Sequence, residues 1–317
     1  MGHMTLIDTR PRELGGLRKL VAPCLGFVAL AFVCSAHAED YVKSYSIAHR
    51  ADVRVYADDG SVRVITSDTN QVELQVHSEG FAALQFGGKL HIDSHQNGDQ
   101  VELTVQVSHG VTIGFDNRSL RIEVHMPRNA DLSLDTHDGA VEVDPLEGNI
   151  TVHTKDGAIK ASQLSGRIDL TSGDGSITAR ALKGESKVHT GDGAIQADDV
   201  EGKFEGSSGD GAIEVAGRFD FLDLRSGDGE VSARVARGSK MSSPWNIRTR
   251  NGGVNLTLPA DFQADLDVRA NNGRVSLGLP VTVQGDVSQS RVHGTMNGGG
   301  PLITVRSGDG SIRLSGT

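Results

Sequence analysis

Residues 154–170 read Thr-Lys-Asp-Gly-Ala-Ile-Lys-Ala-Ser-Gln-Leu-Ser-Gly-Arg-Ile-Asp-Leu, and this stretch decides the fold. Ile159 and Ala161 alternate with polar neighbours, and so do Ile168 and Leu170. Alternation with a period of two indicates a strand with one buried face and one solvated face. The stretch therefore predicts two short strands, with Gly166 breaking the chain between them.

The same unit recurs along most of the chain. An aspartate or asparagine is followed by a glycine, any residue, and then Ile or Val. The unit begins at Asp59, Asp138, Asp156, Asp174, Asp192, Asp210, Asp228, Asn251, Asn272 and Asp309. From Asp138 to Asp228 the interval is eighteen residues every time. One such coil buries too little apolar surface to fold alone, so the coils must stack on one another.

The spacing predicts an all-β, single-chain parallel β-solenoid (a β-helix) with about eighteen residues per coil. A left-handed hexapeptide helix would need an apolar residue every six positions. Counted from Val141, the apolar residues instead stand at offsets of +2, +5, +9 and +11. Because parallel crossovers are usually right-handed, we expect a right-handed solenoid.

Each Asp-Gly pair is predicted to make a sharp corner at which the glycine takes a positive φ. Ser or Thr stands two residues before the acid in every regular copy. These hydroxyl residues are Thr136, Thr154, Ser172, Thr190, Ser208 and Ser226. Hydroxyls stacked at a corner can bond the backbone or each other, so we expect a polar ladder along one edge.

The first 38 residues are typical of a secretory signal peptide. Basic residues precede an apolar run from Leu20 to Val33, and Ala36-His37-Ala38 supplies a small-x-small cleavage site. The run is too short to span a bilayer comfortably, although an uncleaved anchor is the alternative. We expect export with cleavage after Ala38, to the periplasm rather than the cell surface or medium, and no transmembrane span in the chain that remains.

Charge and cysteine content restrict the partners. Residues 1–38 carry four Lys or Arg and two acidic residues, so their removal takes the formal net charge from −10 to −12. This balance argues against nucleic acid and against direct attachment to an anionic membrane. Both cysteines, Cys24 and Cys34, lie in the same segment. The remaining chain therefore must fold without disulfides or a zinc-thiolate site.

Three regions are predicted after the repeat is placed. Residues 1–38 are the signal peptide, residues 39–125 form irregular N-terminal β coils or a cap, and residues 126–317 form the regular solenoid with Asp-Gly and Asn-Gly turns. Residues 130–134 and 264–268 match each other, which indicates a duplicated start. Between Asp228 and Asn251 the interval grows to twenty-three residues. The extra residues, Lys240 to Trp245 among them, are predicted to form a protruding loop.

Several motifs together resemble a known bacterial family. The lead-in Pro-x-x-Ala-Asp-Leu starts at Pro127, Ser-Gly-Asp-Gly recurs, and the chain closes on Gly294–Pro301 followed by Val305–Leu314. These features look like the bacterial β-strand-repeat family labelled putative adhesin, well from about residue 120 onward and loosely over 39–120. The resemblance implies an exported or envelope-associated β-solenoid whose function is largely unassigned. It implies no catalytic residue and no cofactor.

A column of aspartates is the first candidate site. Stacked carboxylates repel one another and so need donors or cations, and calcium takes oxygen ligands. Calcium-binding nonapeptide solenoids place Asp two residues before the apolar position, on both sides of the coil. Here Asp lies three residues before it and once per coil. We therefore favour a structural turn, and keep a calcium ladder as the alternative. Its members would be Asp156, Asp174, Asp192 and Asp210.

The other candidates are an interaction loop, histidines and an enzyme site. Trp245, with Lys240, is the candidate contact in the predicted loop, although a cap over the solenoid edge also explains this residue. His137, His153 and His189 fall at positions that do not match between coils, which favours surface histidines over a metal site. A polysaccharide lyase or hydrolase would need clustered acids on long loops, so an enzyme is a distant alternative.

Two functions remain open. The first is a non-catalytic structural or interaction module of the bacterial envelope, which presents a long acidic face to a protein or a glycan. The second is an accessory protein of an envelope-stress system, which binds a ligand or peptide at one end or at the loop from Lys240 to Trp245.

Overall fold

The computed structural model describes residues 39–79, 90–107, 119–283 and 288–317. Within these ranges the chain forms 25 β-strands in one continuous sheet and no helix, which confirms the predicted all-β class. No helix in the described ranges has the length and apolar character needed to cross a membrane.

The strands in chain order are β1 (Glu39–Ser46), β2 (Ala51–Ala57), β3 (Ser61–Ser67), β4 (Gln71–Glu79), β5 (Leu90–Asn97), β6 (Gln100–Val107), β7 (Ser119–Pro127), β8 (Ala130–Thr136), β9 (Val141–Val143), β10 (Leu146–Thr154), β11 (Ile159–Ser162), β12 (Leu164–Ser172), β13 (Ile177–Arg180), β14 (Lys183–Thr190), β15 (Ile195–Ser208), β16 (Ile213–Ser226), β17 (Val231–Val235), β18 (Trp245–Thr249), β19 (Val254–Leu258), β20 (Ala264–Ala270), β21 (Val275–Gly278), β22 (Thr282–Val283), β23 (Arg291–Met296), β24 (Leu302–Ser307) and β25 (Ile312–Gly316).

The middle of the chain is a stack of parallel coils. Strand β10 pairs in parallel with β8 on one side and β12 on the other, and β12 pairs with β14. Ile150 lies opposite Ile168, and Leu170 lies opposite Val188. The shorter strands β9, β11 and β13 pair with one another in the same way. Equivalent residues of successive repeats therefore lie side by side, which makes the fold solenoid-like.

At both ends of the stack the order in space departs from the order in sequence. Strand β2 lies between β6 and β8, and β3 lies between β7 and β9. At the other end β24 lies between β18 and β20, and β25 lies between β19 and β21. The last coil of the chain is thus inserted between two earlier ones. The two matching segments also differ in place, since β8 continues the stack and β20 begins its outermost coil.

Antiparallel strands cover the two outermost coils. Strand β7 pairs with β4, β4 pairs with β1, and β6 pairs with β5. At the opposite end β20 pairs with β23, which pairs with β22. An uncovered parallel coil would leave a row of unpaired backbone groups that invites aggregation. These strands move the exposed edge away from the parallel coils.

The core is a narrow column of aliphatic side chains. In the repeat that opened the sequence analysis, Ile159, Ala161, Leu164, Ile168 and Leu170 are all buried, as the alternation predicted. Near the middle of the stack the column becomes aromatic. The ring centroids of Phe204 and Phe219 are 6.5 Å apart, those of Phe219 and Trp245 are 6.3 Å apart, and those of Trp245 and Phe262 are 5.4 Å apart.

The glycines of the Asp-Gly pairs are needed for space rather than for φ. The prediction of a positive φ is wrong for the regular copies, since Gly157, Gly175 and Gly193 do not lie in the left-handed region. Instead, a Cβ atom on Gly175 would stand 2.0 Å from the carbonyl oxygen of Gly157. A Cβ on Gly193 would stand 2.1 Å from that of Gly175. The backbones of neighbouring coils approach too closely for any side chain here.

The predicted hydroxyl ladder is confirmed from Thr154 to Ser226, whereas the Thr136 hydroxyl has no hydrogen-bond partner among the described residues. Ser172 Oγ accepts a hydrogen bond from Gly175 N–H at 3.0 Å and donates one to the Gly157 carbonyl, one coil away, at 2.9 Å. Thr190 Oγ1 does the same between Gly193 and Gly175. These hydroxyls are buried. Each one ties the turn of its own coil to the turn of the preceding coil, so the ladder holds the stack in register.

Candidate functional site

The Asp-Gly edge carries the aspartates of the candidate calcium ladder. The backbone N–H of Asp174 donates to the carbonyl of Lys155 at 3.0 Å, and that of Asp192 donates to Gly173 at 3.2 Å. Asp156 and Asp210 bond the preceding coil in the same way. The backbone of each acid is therefore part of the stacking. No group of three or more His, Cys, Asp or Glu in the described residues is arranged to hold a metal ion, and calcium binding stays a prediction.

Towards the carboxy terminus the acids of this edge alternate with asparagines. Asn251 Nδ2 donates to Asp228 Oδ1 at 2.6 Å, and Asn272 Nδ2 donates to Asp309 Oδ1 at 2.6 Å. Each of these two carboxylates thus has an amide donor in an adjacent coil, whereas in the regular coils aspartate follows aspartate. Amide donors reduce the repulsion that a column of like charges would otherwise create.

Trp245 does not lie in a protruding loop, so that expectation is wrong. It begins β18, is fully buried, and packs between Phe219 and Phe262. Its indole N–H donates to the Asp220 carbonyl at 3.4 Å. The sequence placed it in the loop because the enlarged interval hid the start of the strand. Lys240 does lie in the exposed connection before β18, as expected.

A shallow groove of about 350 Å³ runs beside this connection. Lys240 and Met241 border it on one side, Asp261 and Phe262 on another, and the turn before Pro301 closes it. One cationic and one anionic group thus face the same space, with an aromatic side chain at its base. A groove with this lining fits a small ligand or a peptide.

The histidines lie on the surface. His137, His153 and His189 are exposed. His153 lies opposite Thr171, and Thr171 lies opposite His189, so the two histidines are separated by a full coil. This placement agrees with the prediction of surface histidines.

A row of arginines on the same sheet face was missed by the sequence analysis. Arg225 lies opposite Arg248, Arg248 opposite Arg306, Arg306 opposite Arg269, and Arg269 opposite Arg291. We call these five residues the arginine row. The sequence does contain a signal for this row. An Arg stands three residues before each of Asp228, Asn251, Asn272 and Asp309. The insertion of the last coil leaves β20 outermost, so that Arg291 of β23 can lie opposite Arg269 and extend the row.

Two members of the arginine row are held by carboxylates. Arg225 Nη2 lies 2.7 Å from Asp223 Oδ2, and the hydrogen bonds from this carboxylate, with its charge, raise the pKa of the Arg225 guanidinium. Arg306 pairs with Asp267 across the strands. Arg248, Arg269 and Arg291 are exposed and form no ion pair with any residue in the described part of the chain.

Several solved structures are similar to this chain at low sequence identity. A protein from Parabacteroides distasonis ATCC 8503, described as a putative lipid binding protein, is 13% identical, with a TM-score of 0.46, and the match covers 88% of this chain and 97% of that chain. A putative adhesin from Parabacteroides merdae ATCC 43184 is 10% identical, with a TM-score of 0.39 and coverage of 87% and 96%. A putative adhesin from Bacteroides fragilis NCTC 9343 is 11% identical, with a TM-score of 0.36 and coverage of 88% and 97%.

These structural similarities are too distant to inform the function. None of the curated proteins matches the sequence. The family model described as Toastrack DUF4097, in contrast, matches residues 50–315, which is most of the chain, and it confirms the family resemblance that the Asp-Gly repeat indicated. The chain belongs to the Toastrack DUF4097 family.

Proposed function

We propose that the protein is a non-catalytic structural or interaction module of the bacterial envelope, which presents its sheet faces to a protein or a glycan. In this proposal residues 1–38 direct export to the periplasm and are removed. Residues 39–125 form irregular N-terminal coils or a cap on a right-handed solenoid of about eighteen residues per coil, which residues 126–317 form. The positive charges before the apolar run at Leu20, and the usual hand of parallel crossovers, support these points.

One observation carries the proposal: polar side chains on the outer face of the sheet form rows in register along the stack. Thr151, Asp169, Lys187, Glu205 and Asp223 are successive register partners on one sheet face. Such a face offers polar and charged groups at regular intervals, about 4.8 Å apart. A surface of this kind suits a partner that is itself extended or repetitive, because many weak contacts then add along its length.

The test is to fractionate cells that produce the protein, sequence its amino terminus, and crosslink it in place. We expect a chain that begins at Glu39 in the periplasmic or envelope fraction, crosslinked to an envelope protein or glycan. A chain that keeps residues 1–38 and stays in the cytoplasm would contradict the proposal.

The groove beside Lys240 favours a second candidate, an accessory ligand- or peptide-binding protein of an envelope-stress system. This function predicts capture of a single soluble regulator and one saturable interaction. Lys240→Ala should weaken that interaction without unfolding the protein, because Lys240 is exposed. Trp245→Ala is not a usable test, since it would remove a buried core residue.

A further inference from the structure

The arginine row carries more positive charge than its carboxylate partners neutralise. Like charges directly opposite one another on neighbouring strands destabilise a sheet. Asp223 and Asp267 offset the charge of two members, while Arg248, Arg269 and Arg291 have no carboxylate partner among the described residues. The chain as a whole is acidic, with a formal net charge of −10. A run of exposed cations on such a protein is best explained by an anionic ligand.

The neighbouring columns restrict the shape of that ligand. Next to the arginine row, two residues earlier on β16, stands a column on the same face that begins at Asp223, includes Asp267 and ends at His293. On the other side is the corner that carries Asp228 and Asp309. A flat anionic surface such as a membrane would meet these carboxylates together with the arginines. A narrow chain that follows the row would not.

The spacing of the row restricts the repeat of the ligand. Neighbouring strands are about 4.8 Å apart, so five strands present one guanidinium each over about 19 Å. This spacing is close to the length of one pyranose ring in an extended polysaccharide. A guanidinium also binds a carboxylate through two parallel hydrogen bonds, which a sugar acid can accept.

We propose that the arginine row binds a linear acidic polysaccharide, with one carboxylate-bearing sugar lying against each strand. This inference rests on the proposed function, since it names the class of glycan that the envelope module would hold. The three unpaired members, Arg248, Arg269 and Arg291, make the main contacts. Arg225 and Arg306 stay with their own carboxylates and extend the row at lower strength.

The test uses the purified full-length protein and polygalacturonate as the probe. Binding is measured at an ionic strength of about 0.15 M, where the Debye length of about 8 Å screens the more distant carboxylates of the protein. The row variant is R248Q/R269Q/R291Q. The control variant, R234Q/R274Q/R313Q, removes the same charge from exposed arginines elsewhere on the carboxy-terminal coils, which also form no ion pair with the described residues.

We expect the wild-type protein to bind polygalacturonate but not neutral dextran. The row variant should lose at least tenfold in affinity, and the control variant should stay within twofold of wild type. R248K/R269K/R291K keeps the charge and removes the two-pronged hydrogen bonds, so it should fall between the two. Thermal unfolding verifies that each variant is folded, and the lysine variant keeps the test decisive if the glutamine variant does not fold.

Equal losses in the row and control variants would overturn the inference, because binding would then follow net charge alone. Absence of polygalacturonate binding, or stronger binding to phosphatidylglycerol vesicles or single-stranded DNA, would overturn it as well. If these results accompany a processed, envelope-located protein, the inference fails and the proposed function stands. An unprocessed cytoplasmic protein would instead remove the proposed function on which the inference rests.

Discussion

Each coil has two corners, and they differ in the backbone conformation and in the residue types that make the turn. At the Asp-Gly corner the glycines of the regular copies have ordinary φ values, and they are glycines because the preceding coil's backbone lies about 2 Å from where a Cβ would stand. At the other corner Gln163, Ala181 and Asp199 adopt φ values of 55–56°, a region that favours glycine. The glycines of the Asp-Gly corner are not needed for their conformational freedom. At the other corner a residue with a side chain takes a positive φ, and a glycine with positive φ follows three residues later in each coil: Gly166, Gly184 and Gly202.

This difference shows what limits the sequence at each corner. Contact between coils selects residues at the Asp-Gly corner, because a side chain there would force whole coils apart. At the opposite corner the side chain is exposed or only partly covered. The chain therefore tolerates a positive φ there, at a cost of about 1–2 kcal/mol per residue. Stacking is therefore a stronger constraint on this chain than local backbone preference.

The largest expected effect comes from filling the close contact. Gly175→Ala should lose at least about 3 kcal/mol of unfolding free energy, or prevent folding, because its Cβ would meet the backbone of Gly157. Gly98→Ala is the matched control, since Gly98 has φ +63° but a Cβ atom added to it would have no neighbour within 4 Å. This control should lose only about 1–2 kcal/mol. Urea unfolding measures both, and equal losses would contradict the distinction between the two kinds of glycine.

The next effect comes from breaking one rung of the hydroxyl ladder. Ser172→Ala leaves the N–H of Gly175 and the carbonyl of Gly157 without their hydroxyl partner, so it should lose about 1–3 kcal/mol. Ser172→Thr keeps the hydroxyl, as Thr154 and Thr190 do in the adjacent coils, and should stay within about 0.5 kcal/mol of wild type. A serine-to-alanine change that is as mild as the threonine change would show that the ladder does not hold the coils.

Relieving the strained corner should stabilise the protein slightly. Ala181→Gly removes the left-handed strain but adds freedom to the unfolded chain, for a net gain of about 0.5 kcal/mol. Ala194→Gly is the control, because Ala194 is exposed and does not have a positive φ. The control should lose about 0.5–1 kcal/mol in the same thermal or urea unfolding experiment. Changes of the same sign in both variants would count against the corner comparison.

The smallest effect concerns charge along the Asp-Gly edge. Asp192→Asn relieves repulsion within the column of aspartates and should gain less than about 1 kcal/mol, an effect that salt weakens. Asp228→Asn should lose stability instead, because a neutral amide oxygen accepts the hydrogen bond of Asn251 less strongly and the ion pair with Arg250 is lost. Unfolding in low and high salt distinguishes the two variants. If added calcium stabilises wild type but not Asp192→Asn, the calcium ladder gains support.

The sequence was enough to predict the features that depend on the spacing of the repeat. It was not enough to predict the features that depend on pairing with a distant part of the chain. The eighteen-residue interval was enough to place Ile159 and Ile168 in the core and Ser172 on the ladder. It could not predict that β24 inserts between β18 and β20, because this order depends on long-range pairing. It could not predict Arg291 of the arginine row either, because the antiparallel pairing of β23 with β20 is also long-range. Trp245 was misplaced because an enlarged interval gives no phase for the strand that follows it.

The order of the coils is the central claim, since the hydrogen bond from Ser307 Oγ to the Gly252 carbonyl and the place of Arg291 at the end of the arginine row depend on it. Thr257 Oγ1 and Ser315 Oγ are hydrogen-bonded at 3.1 Å, so cysteines at these two positions should form a disulfide. The measurement compares Thr257→Cys/Ser315→Cys with Thr257→Cys/Gly278→Cys, each in a chain that also carries Cys24→Ser and Cys34→Ser. We predict rapid crosslinking of the first pair under mild oxidation and little of the second. The reverse result would mean that the coils stack in sequence order, and would contradict the account.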